Sequence, residues 1–156
     1  MSGSGNPSPI HSVQCNFQIT QLVEFDGEFG NLDVHNAYDL DRLVLEPENR
    51  RVSFNFVANQ WATAGRPGSF HLCIEGVTLV ELAATPQDLS EFVIHEIGFM
   101  EADDREYQYA LIDMGEPGDS KHLVFKTEAG IIRIDGQRAD VLTIQSSDLP
   151  LERAPC

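Results

Sequence analysis

Apolar residues recur at every second position through most of the chain, the period of a half-buried β-strand. In NFQITQLVEF, Phe17 and Ile19 alternate with polar neighbours until the phase shifts at Leu22 and Val23, and DGEFG then supplies turn residues. LDVHNAYDLDRL, residues 32 to 43, reads as a strand with Leu32, Val34, Tyr38 and Leu40 on one face and Asp33, His35, Asp39 and Asp41 on the other. Leu40 and Leu43 stand three apart instead of two, so a break or bulge is expected near Arg42. LVLEPENRRVSFNFV predicts the clearest hairpin: Leu43 and Leu45 run into Pro-Glu-Asn, and Val52, Phe54 and Phe56 run out of it.

NQWATAGRPGS predicts a long loop with Trp61 near its start. SFHLCIEGVTLVEL gives a strand with Phe70, Leu72 and Ile74 in phase, a bulge or tight turn at Gly76, and a new phase from Val77 and Leu79. TPQDLSEF carries a short helix start, with Thr85 as N-cap, Pro86 next and Asp88 placed to suit the helix dipole. FVIHEIGFMEA, EYQYALIDMG, HLVFKTEAGIIRI and DVLTIQ read as further strands, the third folding back on itself over residues 127–130. Some eight or nine short strands predict an all-β, single-domain sandwich or open barrel of antiparallel strands with one short helix. The domain is expected over residues 13–149, between a Gly-, Ser-, Pro- and Asn-rich tail at 1–12 and a C-terminal tail at 150–156.

The chain has 156 residues, enough to bury roughly 68 to 70% of its unfolded surface without a metal or disulfide staple. Charge narrows the function classes more than length does. Asp and Glu number 25 against 10 Lys and Arg, a net charge of -15, well beyond the magnitude of about 2 to 8 that solubility calls for. Such a field repels phosphate backbones and anionic lipid and speeds encounter with basic partners, so neither nucleic acid nor membrane is expected as a direct target. The basic residues are spread along the chain, unlike the patch of a nucleic-acid reader. No apolar stretch approaches the ~20 residues of a membrane span, and MSGSGNPSPI lacks the basic and hydrophobic regions of a secretory signal. The cysteines at 15, 73 and 156 are odd in number and lack CxxC spacing, which suggests neither a disulfide framework nor a zinc knuckle. Cys73 reads as a small buried thiol, and a reducing cytoplasm is the expected location.

No catalytic motif stands out. HEIGF from His95 lacks the second histidine of the zinc-peptidase motif, Phe99 taking its place, and on a strand His95 and Glu96 face opposite sides. No GxSxG elbow occurs. One strand rarely supplies more than two metal ligands, because same-face side chains are nearly 7 Å apart. A metal-binding enzyme would therefore need several of His35, His71, His95 and His122 to converge with carboxylates. No metal, cofactor or catalytic residue is expected. A small-ligand β module, the other alternative, requires an open apolar interior of roughly 300 to 1,000 Å³. The acidic run FMEADDREY sets Glu101, Asp103, Asp104 and Glu106 beside Phe99, Met100 and Tyr107, a composition suited to aromatic anchors rimmed by carboxylates. The expected contact residues are Asp33, His35, Asp39, Asp41, Glu101, Asp103, Asp104 and Glu106, and the expected partner is a basic protein.

Residues 32 to 56, LDVHNAYDLDRLVLEPENRRVSFNF, resemble the opening of several small bacterial β-rich families, some of them immunity proteins of polymorphic toxin systems. The matching positions are Leu32, His35, Asn36 and Ala37, then Leu43, Leu45, Val52, Phe54 and Phe56, with Asn36 where aspartate is commoner. The resemblance implies a non-catalytic immunity-type inhibitor that docks on a basic toxin, for instance a nuclease, and carries over no functional residue.

Overall fold

The computed structural model describes residues 13–82, 93–111 and 121–144. Twelve strands and one 3-10 turn make up the regular structure of these residues. A five-stranded sheet joins β1 (Gln14–Cys15), β12 (Arg138–Ile144), β7 (Ser69–Glu75), β6 (Arg51–Ala58) and β5 (Tyr38–Glu46) in that order. A four-stranded sheet runs β8 (Leu79–Leu82), β11 (Gly130–Asp135), β10 (Lys121–Thr127) and β9 (Ile94–Glu101). The third sheet is β2 (Gln18–Thr20), β3 (Glu24–Gly27) and β4 (Gly30–Asp33). All pairings are antiparallel except β1 with β12. The fold is all-β and the sheets do not close into a barrel. The short helix expected over TPQDLSEF and both expected tails lie outside the described residues.

The sheets share one apolar core. Alternation along β6 and β7 turns Phe54, Phe56, Phe70 and Leu72 inward, each fully buried. Phe54 stacks on Phe125 of β10 with ring centroids 4.5 Å apart, which joins the two larger sheets. Phe25 of β3 meets Phe70 edge-on at 6.2 Å and brings in the third. Aromatic rings thus occupy the space between the sheets in which a small-ligand module would hold its cavity.

Hairpin signals translate directly into structure. β5 and β6 are joined by a 3-10 turn at Pro47–Asn49 and a left-handed Arg50, and β10 returns as β11 through Thr127 and Gly130. The β5–β6 register shifts between Leu40 and Arg42, so the expected bulge falls on Asp41. Gly76, at φ 68°, makes the tight turn after β7. The shift at Leu22 is also a turn, with Gln21 and Leu22 at φ 52° and 60° between β2 and β3.

Two strand expectations are corrected. LDVHNAYDLDRL is not one strand: β4 ends at Asp33, residues 34–37 form a turn, and β5 begins at Tyr38. The Asp33 carboxylate causes the break by accepting hydrogen bonds from the backbone N–H of His35 and Asn36, both at 2.8 Å, and from Asn36 Nδ2 at 3.0 Å. The described part of EYQYALIDMG, residues 106–111, is likewise loop. Its Tyr109 carbonyl and Leu111 N–H bond to Lys126 and Glu96 of the four-stranded sheet, and the N–H groups of Glu106, Tyr107 and Tyr109 bond within the loop.

Candidate functional site

The outer face of the four-stranded sheet carries Met100, Val124 and Ile131, apolar residues that an exposed face would not hold. Residues 102–111 cross over them, burying Leu111 and packing Tyr107 against the same cluster, with Leu22 alongside. Under this loop lies Arg133, whose exposure is 0%. Ile132 and Ile134 point into the core from β11, so Arg133 between them points to the outer face.

The Arg133 guanidinium is satisfied mostly by main-chain oxygen. Its Nη2 donates to the carbonyls of Glu101 at 2.7 Å and Ala102 at 3.2 Å. Its Nη1 donates to the carbonyl of Asp104 at 2.7 Å and to the Tyr107 hydroxyl at 3.0 Å. Nε donates to His122 Nδ1 at 2.8 Å. That bond needs an unprotonated Nδ1, and burial, with Arg133 beside it, holds the His122 pKa below its usual value. Because carbonyls hold the guanidinium, the loop carboxylates are not consumed in neutralising it.

The far end of the loop is fixed by a second pair. Lys126 Nζ lies 3.1 Å from Glu96 Oε1 and donates to the Tyr109 carbonyl at 2.7 Å, while Glu96 Oε2 accepts the Leu111 N–H at 2.7 Å. Arg105 reaches Glu81 Oε2 at 2.9 Å and the Ala102 carbonyl at 2.9 Å. Asp104 turns its Oδ1 onto the Glu106 N–H at 2.9 Å. Glu101, Asp103 and Glu106 are exposed, as is the Tyr109 ring at 65%. Lys121, itself buried, approaches Glu101 Oε2 at 3.7 Å. A surface cavity of about 330 Å³ lies here, lined by Phe99, Met100, Glu101, Asp104, Glu106 and Tyr109.

The eight residues expected to make contact fall into two groups. Glu101, Asp103, Asp104 and Glu106 share the loop just described. Asp33 and Asp39 stand by the turn at 34–37, where Asn59 Nδ2 donates to the Asn36 carbonyl at 3.0 Å and to Asp39 Oδ1 at 3.1 Å. The Asn59 side chain also accepts the Trp61 N–H, and Trp61 is 72% exposed. Asp41 projects from the bulge of β5 and is exposed. His35 bonds through Nδ1 to the Ile94 carbonyl at the start of β9, its ring 5.6 Å from that of His95. β9 runs between the two groups, and its length separates Ile94 from Glu101 by roughly 23 Å. These eight expected contact residues therefore fall on two surfaces, each with an exposed aromatic ring, and not in a single patch.

His95 faces Glu128, Nε2 to Oε1 2.8 Å, whereas Glu96 on the opposite side of β9 faces Lys126. His71 lies on the five-stranded sheet and His122 under the acidic loop. Among the described residues no group of three His, Cys, Asp or Glu is placed to hold a metal ion, and no helix is long and apolar enough to cross a membrane. Cys73 corrects the expected free thiol: it is disulfide-bonded, while Cys15 carries a free thiol whose pKa burial and Asp140 push up to about 12.

Comparison with known proteins gives no match to a family model, a curated protein or a solved structure.

Proposed function

We propose that the protein is a non-catalytic, acidic binding module that docks on a basic protein, with the Glu101–Tyr109 loop as its principal contact. The observation that carries this reading is the pinning of the loop by Arg133 through carbonyl oxygens, which leaves Asp103 exposed and sets Glu101 and Glu106 at a cavity with Tyr109 and Met100 at its wall. A pre-shaped loop loses little entropy on binding, and carboxylates beside an aromatic ring suit a lysine or arginine side chain of the partner. The net charge of -15 would steer encounter. In its most concrete form the module is an immunity-type inhibitor whose carboxylates occupy the cationic site of a toxin. A cytoplasmic location, expected from the sequence, belongs to this proposal, with the disulfide at Cys73 as the observation that counts against it.

The test is a titration of isotope-labelled protein with a synthetic lysine- and arginine-rich peptide of about 20 residues, followed by amide chemical shifts. Shifts should concentrate on residues 99–111. The triple variant Glu101→Gln, Asp103→Asn, Glu106→Gln should weaken binding at least tenfold, about 1.4 kcal/mol, and Asp39→Asn with Asp41→Asn should leave it within twofold. Shifts spread evenly over both acidic surfaces would defeat the assignment.

A further inference from the structure

Two histidines meet at the end of β9 remote from the acidic loop. His35 stands in the turn after β4 and His95 on β9, both exposed, with ring centroids 5.6 Å apart and planes tilted by 48°. Separate turns position the pair. The Asp33 carboxylate folds the 34–37 turn by accepting the N–H groups of His35 and Asn36, which carries His35 to the start of β9. The Glu128 N–H donates to the Val93 carbonyl at 2.9 Å, which ties the β10–β11 turn to the chain just before β9 and sets the Glu128 carboxylate beside His95.

Each ring has one nitrogen committed to an acceptor. A carbonyl oxygen only accepts, so His35 Nδ1, 2.6 Å from the Ile94 carbonyl, carries a proton and the neutral ring keeps its lone pair on Nε2. A carboxylate likewise only accepts. His95 Nε2, 2.8 Å from Glu128 Oε1, therefore carries a proton, and the neutral ring keeps its lone pair on Nδ1. Metal-bound histidines share this arrangement: the outer nitrogen donates to a carbonyl or carboxylate, which fixes the tautomer and makes the inner nitrogen a better ligand. Spacing is an independent sign. With zinc–nitrogen distances of about 2.0–2.1 Å, two imidazoles on one ion place their centroids roughly 5 to 6 Å apart, and the observed 5.6 Å falls in that range. Asp33 and Glu128 flank the pair with negative charge, which favours a cation.

We propose that His35 Nε2 and His95 Nδ1 form a two-histidine site for a divalent ion of the zinc class, with water completing the coordination. Imidazole suits such ions, whereas Ca2+ and Mg2+ take oxygen ligands. Two protein ligands are fewer than the three or four of catalytic and structural zinc centres. The ion is thus not required for folding. It cross-links the 34–37 turn to β9, so stability rises with its concentration.

The test is a titration of the isotope-labelled full chain with Zn2+ at about pH 7.5, above the ordinary range of imidazole protonation. Before zinc is added, ring nitrogen spectra should show the proton on Nδ1 of His35 and on Nε2 of His95. Zinc should then move the ring signals of these two histidines first and raise the melting temperature, and equal concentrations of Ca2+ should do neither. His35→Gln and His95→Gln should each weaken binding at least tenfold, and Glu128→Ala about tenfold through the lost acceptor. His11→Gln should leave it within twofold. All three site residues are exposed, so the variants should melt close to the parent without zinc. The triple variant of the acidic loop should bind zinc like the parent, so this site stands or falls apart from the docking surface. Reversed tautomers, ring signals unmoved by a tenfold excess of Zn2+, or zinc shifts centred on residues 101–106 would overturn the proposal.

Discussion

Replacing Arg133 by methionine keeps much of the side-chain volume but removes five N–H donors from beneath the acidic loop. The carbonyls of Glu101, Ala102 and Asp104 lose their shared partner. Unfolding in urea should show a loss of about 3 kcal/mol, and amide exchange should accelerate over residues 101–109 more than in the core. Asp33→Ala, which removes the acceptor for the N–H groups of His35 and Asn36, should cost only about 1 kcal/mol, because that turn is open to water. The sequence singled out every carboxylate of the loop but not the arginine that shapes it. In GIIRI, strand alternation places Arg133 opposite Ile132 and Ile134, where an arginine ordinarily meets solvent. The available signal lay in Met100, Val124 and Ile131, apolar residues at the outward positions of three adjacent strands, which together call for a cover.

Hairpins were readable because turn chemistry and alternation agree within a few residues: Pro47–Asn49 between β5 and β6, Gly130 between β10 and β11, Gly76 after β7. Elements whose fate depends on distant partners were not. Residues 106–111 alternate like a strand, yet Lys126 and Glu96 hold the Tyr109 carbonyl and the Leu111 N–H in a loop. The same distinction between local and distant causes sets the expected mutational costs. Gly76→Val introduces a β-branched side chain at φ 68°, with a Cβ that would stand 2.7 Å from Gln137 Oε1, and should destabilise by about 2 kcal/mol in thermal or chemical unfolding. Phe54→Ala removes a ring stacked on Phe125 across two sheets and should cost about 4 kcal/mol.

Over the full chain, stability should depend on pH through two buried histidines. Burial is the first cause lowering the pKa of both His71 and His122, and nearby arginines add to it. The unfolded chain binds protons near the ordinary value of 6.5 while the folded chain resists them. Stability should thus be complete above pH 6.5 and fall as pH drops below it, down to the folded-state values. His122→Gln should flatten part of that decline in urea midpoints measured between pH 7.5 and about 5. With a net charge of -15, added salt should stabilise the isolated protein yet weaken its grip on a basic peptide, opposite trends that two titrations can separate. Since the guanidinium of Arg133 grips the main chain and leaves the loop's outward acids alone, those acids are interchangeable parts. Exchanges at Glu101, Asp103 or Glu106 would change the character of that surface without disturbing the scaffold that presents it.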